Sequence, residues 1–364
     1  MKKLAFILLL LATFGIFTAQ AQDEPAFVRF AHLSYDASEL DLWIDGAQAE
    51  SARFGTITRY FEGAAGTHQL AIVPTGQGID AAVLGPADVV FEAGHTYTLA
   101  AIGQQADMSF SPLIIDETTT LETAGAASTS TLLVLNAVSG APAIDVFAAE
   151  VPLAAQLTFG GYVTADAPQG EFDLYATAAG QTDTVIFSQT ALGLPNNMMF
   201  VAVAGIADDY TVFTSNGSTL NAVDFLTALS GTAYSVDTLL SAVGAAGLTD
   251  SLANQGPFTL FAPLDSAFAN VPADTLATLM ADPEALTNVL GYHIVPEYIS
   301  SADVVDGLID SGSVTLTTAQ TGDVLISNSD GNVLINGTAR LIGVDYYVRN
   351  GVIHFIDGVL MPAG

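Results

Sequence analysis

Short stretches in which apolar and polar residues alternate fill the N-terminal two thirds of the chain. This period of two is typical of half-buried β-strands. Clear cases are Val28 to Leu33, Leu40 to Asp45 and His68 to Val73. Glycine and proline separate the stretches, and Asp45-Gly46 is a hairpin-type turn. Short strands with turns this close together predict an antiparallel β-sandwich.

The strand pattern occurs twice in this part of the chain. Leu132 to Ser139 repeats Phe27 to Ser34, and the later landmarks keep the same order at an offset of about 105 residues. A repeat of this length indicates two copies of a whole domain, at residues 22–117 and 131–216. The segment between them, 118–130, is rich in Thr, Ser, Ala and Gly and is predicted to be a linker.

The pattern changes in residues 221–364. After Ser235, apolar residues recur at spacings of three and four, which is the pattern of one face of a helix. Ser235 is the predicted N-cap of this helix. Asp282 before Pro283 predicts another helix start, and the segment Ser300 to Asp303 resembles a capping box. Strand patterns follow to the end of the chain, with Asp330-Gly331 closing one hairpin. Helices followed by strands predict an α+β domain.

Three segments of this last third carry a family resemblance. They are Gly256 to Phe268, Gly291 to Pro296 and Asn350 to Leu360. Each one alone predicts a buried strand beside a turn or a helix cap. Together, and in this order, they resemble the fasciclin domain, a module of secreted and surface proteins. The resemblance implies an α+β fold for residues 221–364.

The two repeats resemble a bacterial domain family whose function is not established. Members of that family open with a strand, a turn rich in Ser, Pro, Asp and Ala, and a second strand. The corresponding turns here are Ser34 to Ser38 and Ser139 to Pro142, and both are degenerate. The resemblance implies an immunoglobulin-like sandwich for each repeat.

The first 21 residues have the pattern of a secretory signal peptide. Lys2 and Lys3 precede an apolar run from Leu4 to Phe17, and Ala19-Gln20-Ala21 offers small residues for cleavage. The alternative is a transmembrane anchor, but the run is shorter than the ~20 apolar residues that span a bilayer. We therefore predict a secreted chain without a transmembrane anchor.

Charge limits the partners of the protein. The chain has 38 acidic residues against 7 basic ones, a formal net charge of −31. Such a surface repels nucleic acid, so no nucleic-acid partner is predicted. Once the signal peptide is removed, the basic residues that remain are Arg29, Arg53, Arg59, Arg340 and Arg349.

The chain lacks the residues that several classes of enzyme need for catalysis. The chain has no cysteine and, after residue 3, no lysine, which excludes thiol chemistry, Schiff bases and phosphate-binding loops. His32, His68 and His95 do not stand at metal-ligand spacing, so no metal site and no cofactor are predicted. A hydrolase would need carboxylates or a Ser-His pair that converge in a cleft, and no motif indicates one. The prediction is a protein that is not an enzyme.

Tyr292 and His293 are the candidate partner-binding residues. They match the tyrosine–histidine pair of the fasciclin family, and in some animal members that region is linked to receptor binding. The alternative is structural, because such a pair between a helix end and a strand can be packed and hydrogen-bonded inside the domain. His354, in an apolar strand, is predicted to be a core residue.

These features predict a multidomain protein with two antiparallel β-sandwich (immunoglobulin-like) domains followed by an α+β fasciclin-like domain. The favoured function is extracellular or cell-surface adhesion, or interaction with the extracellular matrix, through the fasciclin-like domain. The partner would be an extracellular protein or polysaccharide. The alternative is a soluble glycan- or small-ligand-binding protein that uses the sandwich repeats. A deep pocket lined by aromatic and polar groups would favour that alternative.

Overall fold

The computed structural model describes residues 24–126, 130–181, 184–206, 209–218, 220–329 and 331–362. The predicted signal peptide and Asp330 of the predicted hairpin turn lie outside this part of the chain. Below, repeat one means residues 22–117, repeat two 131–216 and the C-terminal domain 221–364. This division of the chain stays a prediction.

Repeat one consists of two four-stranded sheets that enclose an apolar core. Its strands are β1 Ala26–Ser34, β2 Leu40–Ile44, β3 Ala47–Ala52, β4 Phe61–Gly63, β5 Gly66–Pro74, β6 Leu84–Phe91, β7 Thr96–Gly103 and β8 Ser111–Asp116. The sheet orders are β4-β1-β7-β8 and β3-β2-β5-β6. Phe30, Leu42 and Leu99 are buried between them. The alternating stretches of the sequence are thus strands with one face on this core.

Repeat two has the same arrangement. Its strands are β9 Ser130–Asn136, β10 Ile144–Ala148, β11 Val151–Leu157, β12 Tyr162–Ala167, β13 Gly170–Ala178, β14 Val185–Gly193, β15 Met198–Ile206 and β16 Asp209–Gly217. The order β12-β9-β15-β16 matches the order β4-β1-β7-β8 of repeat one. The second sheet is β11-β10-β13-β14.

The prediction of purely antiparallel sandwiches is wrong for one strand pair in each repeat. β1 runs parallel to β7, from Phe27 opposite Thr96 to Ser34 opposite Gly103. β9 likewise runs parallel to β15. Parallel neighbours need a long crossover connection. Here the connection runs mainly through the strands of the opposite sheet, a long-range arrangement that local alternation does not reveal.

The two repeats pack against each other through a further apolar layer. Leu33 and Ile102 of repeat one meet Leu133 and Phe200 of repeat two there. The segment predicted as a linker contributes a helix to this layer, α1 Thr118–Ala126, whose Leu121 is buried in it. Its threonines are weak helix formers, so packing at the interface, which the local sequence does not show, stabilises the helix.

The C-terminal domain is rich in helices in its first part, with two strands among them, and has only strands in its last part. Its helices are α2 Ala222–Ala228, α3 Asp237–Ala245, α4 Thr249–Asn254, α5 Asp265–Phe268, α6 Ala273–Met280, α7 Pro283–Gly291 and α8 Ser301–Ser311. Its strands are β17 Phe258–Pro263, β18 Ile294–Val295, β19 Ser313–Thr317, β20 Asp323–Ser329, β21 Asn332–Ile335, β22 Ala339–Val348 and β23 Gly351–Ile356. The mixture of helices and strands agrees with the predicted α+β class.

Two of the predicted helix caps are present and one is different. Asp282 accepts hydrogen bonds from the amides of the first turn of α7, and Ser300 and Asp303 form a reciprocal capping box. Ser235 does not cap α3, which starts one residue later than the pattern indicated. The carboxylate of Asp265 instead accepts from the N–H groups of Asp237 and Thr238, at 3.2 and 2.8 Å.

The C-terminal domain is joined to both repeats. β16 of repeat two pairs in parallel with β22, so one 11-stranded sheet extends from repeat two into the C-terminal domain. Arg53 of repeat one forms an ion pair with Asp306 of α8. The three parts therefore contact one another directly.

Candidate functional site

His293 lies immediately after α7 and is buried, with 1% of its surface exposed. Its Nδ1–H donates to the carbonyl oxygen of Val289 at 2.8 Å, and its Nε2 accepts from the N–H of Leu360 at 3.0 Å. Burial lowers the pKa of His293 from 6.5 to about 4. The imidazole is therefore neutral at physiological pH, and it ties α7 to the end of the chain.

Tyr292 is also buried, and it joins α7 to the strands of the hairpin β20–β21. Its hydroxyl donates to the carbonyl oxygen of Asp323 at 2.6 Å and accepts from Nδ2 of Asn336 at 3.0 Å. Its ring packs in an apolar core with Phe261 and Val324. Tyr292 and His293 thus both have interior partners, as the structural alternative requires.

An apolar groove of about 620 Å³ lies beside this pair. We use the name apolar groove for the depression between α3, α4, α7 and the strand β17. Leu239 of α3, Leu252 of α4, Leu260 of β17 and Leu290 of α7 line it, and His293 forms part of the wall. The groove is large enough for several side chains or a small ligand.

The groove is uncharged although the protein is strongly acidic. None of its lining residues, all in the described part of the chain, is an Asp, Glu, Lys or Arg. His293 adds no charge, because its pKa lies near 4. The exposed polar residues Thr287 and Asn288 of α7 form part of the rim. Binding surfaces typically have an apolar centre with few charged residues and a polar rim.

Of the other four histidines, two are buried and two lie nearer the surface. His32 and His354 are buried, and their Nε2–H groups donate to the carbonyl oxygens of Ser38 and Ile299 at 2.9 and 2.8 Å. His68 and His95 lie nearer the surface and pair with carboxylates. Among the described residues no three or more His, Cys, Asp or Glu side chains are grouped as metal ligands.

The sequence did not indicate the groove as a site. Leu239 and Val243 belong to the apolar positions behind Ser235 whose spacing of three and four residues predicted a helix, and both line the groove. The only usable signal was their spacing of four residues, which any core helix also shows. The wall becomes a site only because α3, α4 and α7 are brought together around β17.

No helix in the described part of the chain combines the length and the apolar character that are needed to cross a membrane.

Comparison with protein families matches two regions of the chain. Residues 235–362 match the fasciclin domain, and residues 26–129 match a domain of unknown function (DUF4397). The fasciclin resemblance is therefore confirmed, and the resemblance to a domain family of unknown function is confirmed for repeat one.

Several curated proteins are similar to the chain. Protein sll1483 of Synechocystis sp. is 35% identical over 175 residues, which are 47% of this chain and 90% of that protein. Transforming growth factor-beta-induced protein ig-h3 of Sus scrofa is 37% identical over 126 residues, 35% of this chain and 18% of that protein. Immunogenic protein MPB70 of Mycobacterium bovis is 36% identical over 115 residues, 32% of this chain and 54% of that protein.

Among solved structures, a FAS1 domain pair from the insect cell adhesion molecule fasciclin I is 17% identical in sequence to the chain. It covers 52% of this chain and 68% of its own, with a TM-score of 0.34, which is too low to bear on the fold.

Proposed function

The chain belongs to the fasciclin family, and from this premise we propose that it is a secreted or cell-surface adhesion protein without catalytic activity. Its C-terminal domain would bind an extracellular protein or polysaccharide. The single observation that carries the proposal is the apolar groove, an uncharged surface of about 620 Å³ on a chain of net charge −31. When a partner covers apolar surface of this kind, the free energy decreases, and this favours binding.

In this proposal Tyr292 and His293 act on binding from inside the domain. His293 forms part of the groove wall, and its two hydrogen bonds hold α7 against the last segment of the chain. Tyr292 holds α7 against the hairpin β20–β21. The pair therefore sets the position of one wall of the groove, and the groove rather than the two rings would contact the partner.

A pair of matched threonine substitutions tests the groove. Thr287 on α7 lies at its rim, whereas Thr278 on α6 does not line it. Each hydroxyl donates at 2.7 Å to the carbonyl oxygen four residues earlier, and both residues are exposed. Thr287→Arg and Thr278→Arg therefore make the same local change, and only Thr287→Arg brings charge and bulk to the groove.

The measurement is retention of the full chain on cell envelopes and on extracellular matrix material. We expect Thr287→Arg to weaken retention about tenfold, about 1.4 kcal/mol, and Thr278→Arg to leave it unchanged. Equal retention of the two variants would show that the groove is not the binding surface. A lack of retention for the unaltered chain would remove support for adhesion itself.

A further inference from the structure

A second and larger depression, of about 770 Å³, lies where the three parts of the chain meet. We call it the junction cleft. Tyr60 of repeat one, Leu121 of α1 and Ser218 after β16 line one part of it. Tyr298 and Arg349 of the C-terminal domain line another. The cleft therefore does not exist in any single domain and forms only where the three parts pack together.

Aromatic rings supply much of the apolar surface of the junction cleft. Phe27, Tyr60, Phe61 and Tyr298 line it, and each is only partly buried. The guanidinium carbon of Arg59 lies 5.1 Å from the centroid of the Tyr298 ring, a distance typical of a cation–π contact. Flat rings with exposed surface can support the apolar face of a ligand ring.

A buried ion pair holds Tyr60 in place. Its hydroxyl donates to Oε2 of Glu117 at 2.6 Å. The other oxygen of Glu117 is 2.6 Å from Nη2 of Arg29, and both side chains of this ion pair are fully buried. The guanidinium carbon of Arg29 lies 4.6 Å from the Tyr60 ring centroid. A ring fixed from below in this way loses little conformational entropy when a ligand stacks on it.

Charges of both signs surround the rings. Arg59 and Arg349 line the junction cleft together with Glu24 and Glu62. Arg59 already pairs with Glu50 at 3.2 Å. Arg349 is exposed, and its side chain has no hydrogen bond or ion pair with any residue that the structure describes. The guanidinium of Arg349 therefore has its donors available for a ligand.

From this arrangement we propose that the junction cleft binds a short stretch of neutral oligosaccharide. A sugar ring has an apolar C–H face that packs on Tyr or Phe and equatorial hydroxyls that pair with Arg and Glu. The volume lies within the range of roughly 300–1,000 Å³ found for ligand sites. A polyanion is disfavoured, because Glu24 and Glu62 line the same cleft and the net charge is −31. The junction cleft adjoins the apolar groove, and Gly256 and Pro257 line both, but of these two sites Tyr298 and Arg349 line only the cleft and Thr287 lines only the groove.

The test is calorimetric titration of the full chain with neutral tetrasaccharides of glucose, mannose and N-acetylglucosamine, and with tetragalacturonate as an anionic comparison. Arg349→Gln removes the unpaired donor, and Tyr298→Ala removes one ring. Arg340→Gln is the control, since Arg340 is exposed, pairs with Asp357 and does not line the cleft. It removes the same charge from the protein.

We expect at least one neutral tetrasaccharide to bind, and Arg349→Gln and Tyr298→Ala each to weaken it about tenfold while Arg340→Gln does not. The proposal is overturned if no neutral tetrasaccharide binds, if tetragalacturonate binds more tightly, or if the control weakens binding equally. Thr287→Arg should leave saccharide binding unchanged, so failure of this site and failure of the apolar groove are distinguishable.

Discussion

At the scale of single residues, the surroundings of His293 require its imidazole to be neutral. Both ring nitrogens are used, one as a donor to Val289 and one as an acceptor from Leu360. A second proton on the ring would break the bond from Leu360 and place a charge in an apolar interior. Burial therefore lowers the pKa of His293 to about 4, and folding depends on the neutral form.

His293 should make stability depend on pH in the acid range. The unfolded chain takes up the proton near pH 6.5 and the folded one only near pH 4, so stability falls as pH decreases between these values. The slope is about 1.4 kcal/mol per pH unit, with a total of roughly 3 kcal/mol. The measurement is the urea midpoint of the chain and of His293→Gln between pH 7 and pH 4.5.

The difference between the unaltered chain and His293→Gln separates the contribution of His293 from that of the other titrating groups. The pKa of His32 is also lowered by burial, and the many carboxylates titrate in both proteins. We expect the midpoint of His293→Gln to fall less steeply with decreasing pH than that of the unaltered chain. Parallel curves would show that His293 does not carry this dependence.

At the scale of elements, α3 depends on a residue outside its own sequence. Asp265 follows β17, and its carboxylate accepts from the N–H groups of Asp237 and Thr238. Unpaired amides at a helix N-terminus are stabilised by an acceptor and by negative charge. The aspartate that begins α5 therefore also fixes the start of α3, a helix that lines the apolar groove.

Asp265→Ala should loosen the first turn of α3. We expect a loss of about 1–2 kcal/mol in stability, the usual cost of removing a cap. Hydrogen exchange should become faster at the amides of Asp237 and Thr238, because they lose their acceptor. Asp274→Ala is the control, since Asp274 lies in the first turn of α6 and its side chain has no hydrogen bond to a described residue. If both variants exchange alike at α3, the cap is not formed.

At the scale of the whole molecule, the repeats and the C-terminal domain act as one packed assembly. Repeat one faces repeat two across an apolar layer, and repeat two shares a sheet with the C-terminal domain. Gly55 of repeat one lies directly against repeat two, because a Cβ there would lie 2.2 Å from the ring of Phe213. Phe54 packs edge-on against the same ring, with centroids 5.2 Å apart.

Gly55→Ala should therefore separate the repeats, whereas Gly46→Ala should not. Both glycines have positive φ, +87° and +78°, so both variants pay a similar backbone strain of about 1–2 kcal/mol. A Cβ at Gly46 would meet no atom within 4 Å. We expect Gly55→Ala to lower the thermal midpoint further than Gly46→Ala. Equal midpoints would show that the repeats do not depend on this contact.

The strands and the candidate pair Tyr292 and His293 could be predicted from the sequence. The contacts that these two side chains make in the folded protein could not. Alternation identified β1, β2 and β5, because each of these strands has one face on a core. The motif around Tyr292 and His293 was readable as a family feature. The local sequence did not show which interior partners both side chains have, since Leu360, Asp323 and Asn336 reach them only in the folded chain.

The amino-acid sequence by itself determined the class of each part, the tandem repeat, the fasciclin resemblance and the acidity, because periodicity, motif order and composition are local or additive properties. Only the tertiary structure decided the parallel pairing of β1 with β7, the helix at Thr118–Ala126, the apolar groove and the junction cleft. Each of these depends on surfaces from distant segments, and the free energy that selects them comes from packing between elements rather than from the elements themselves.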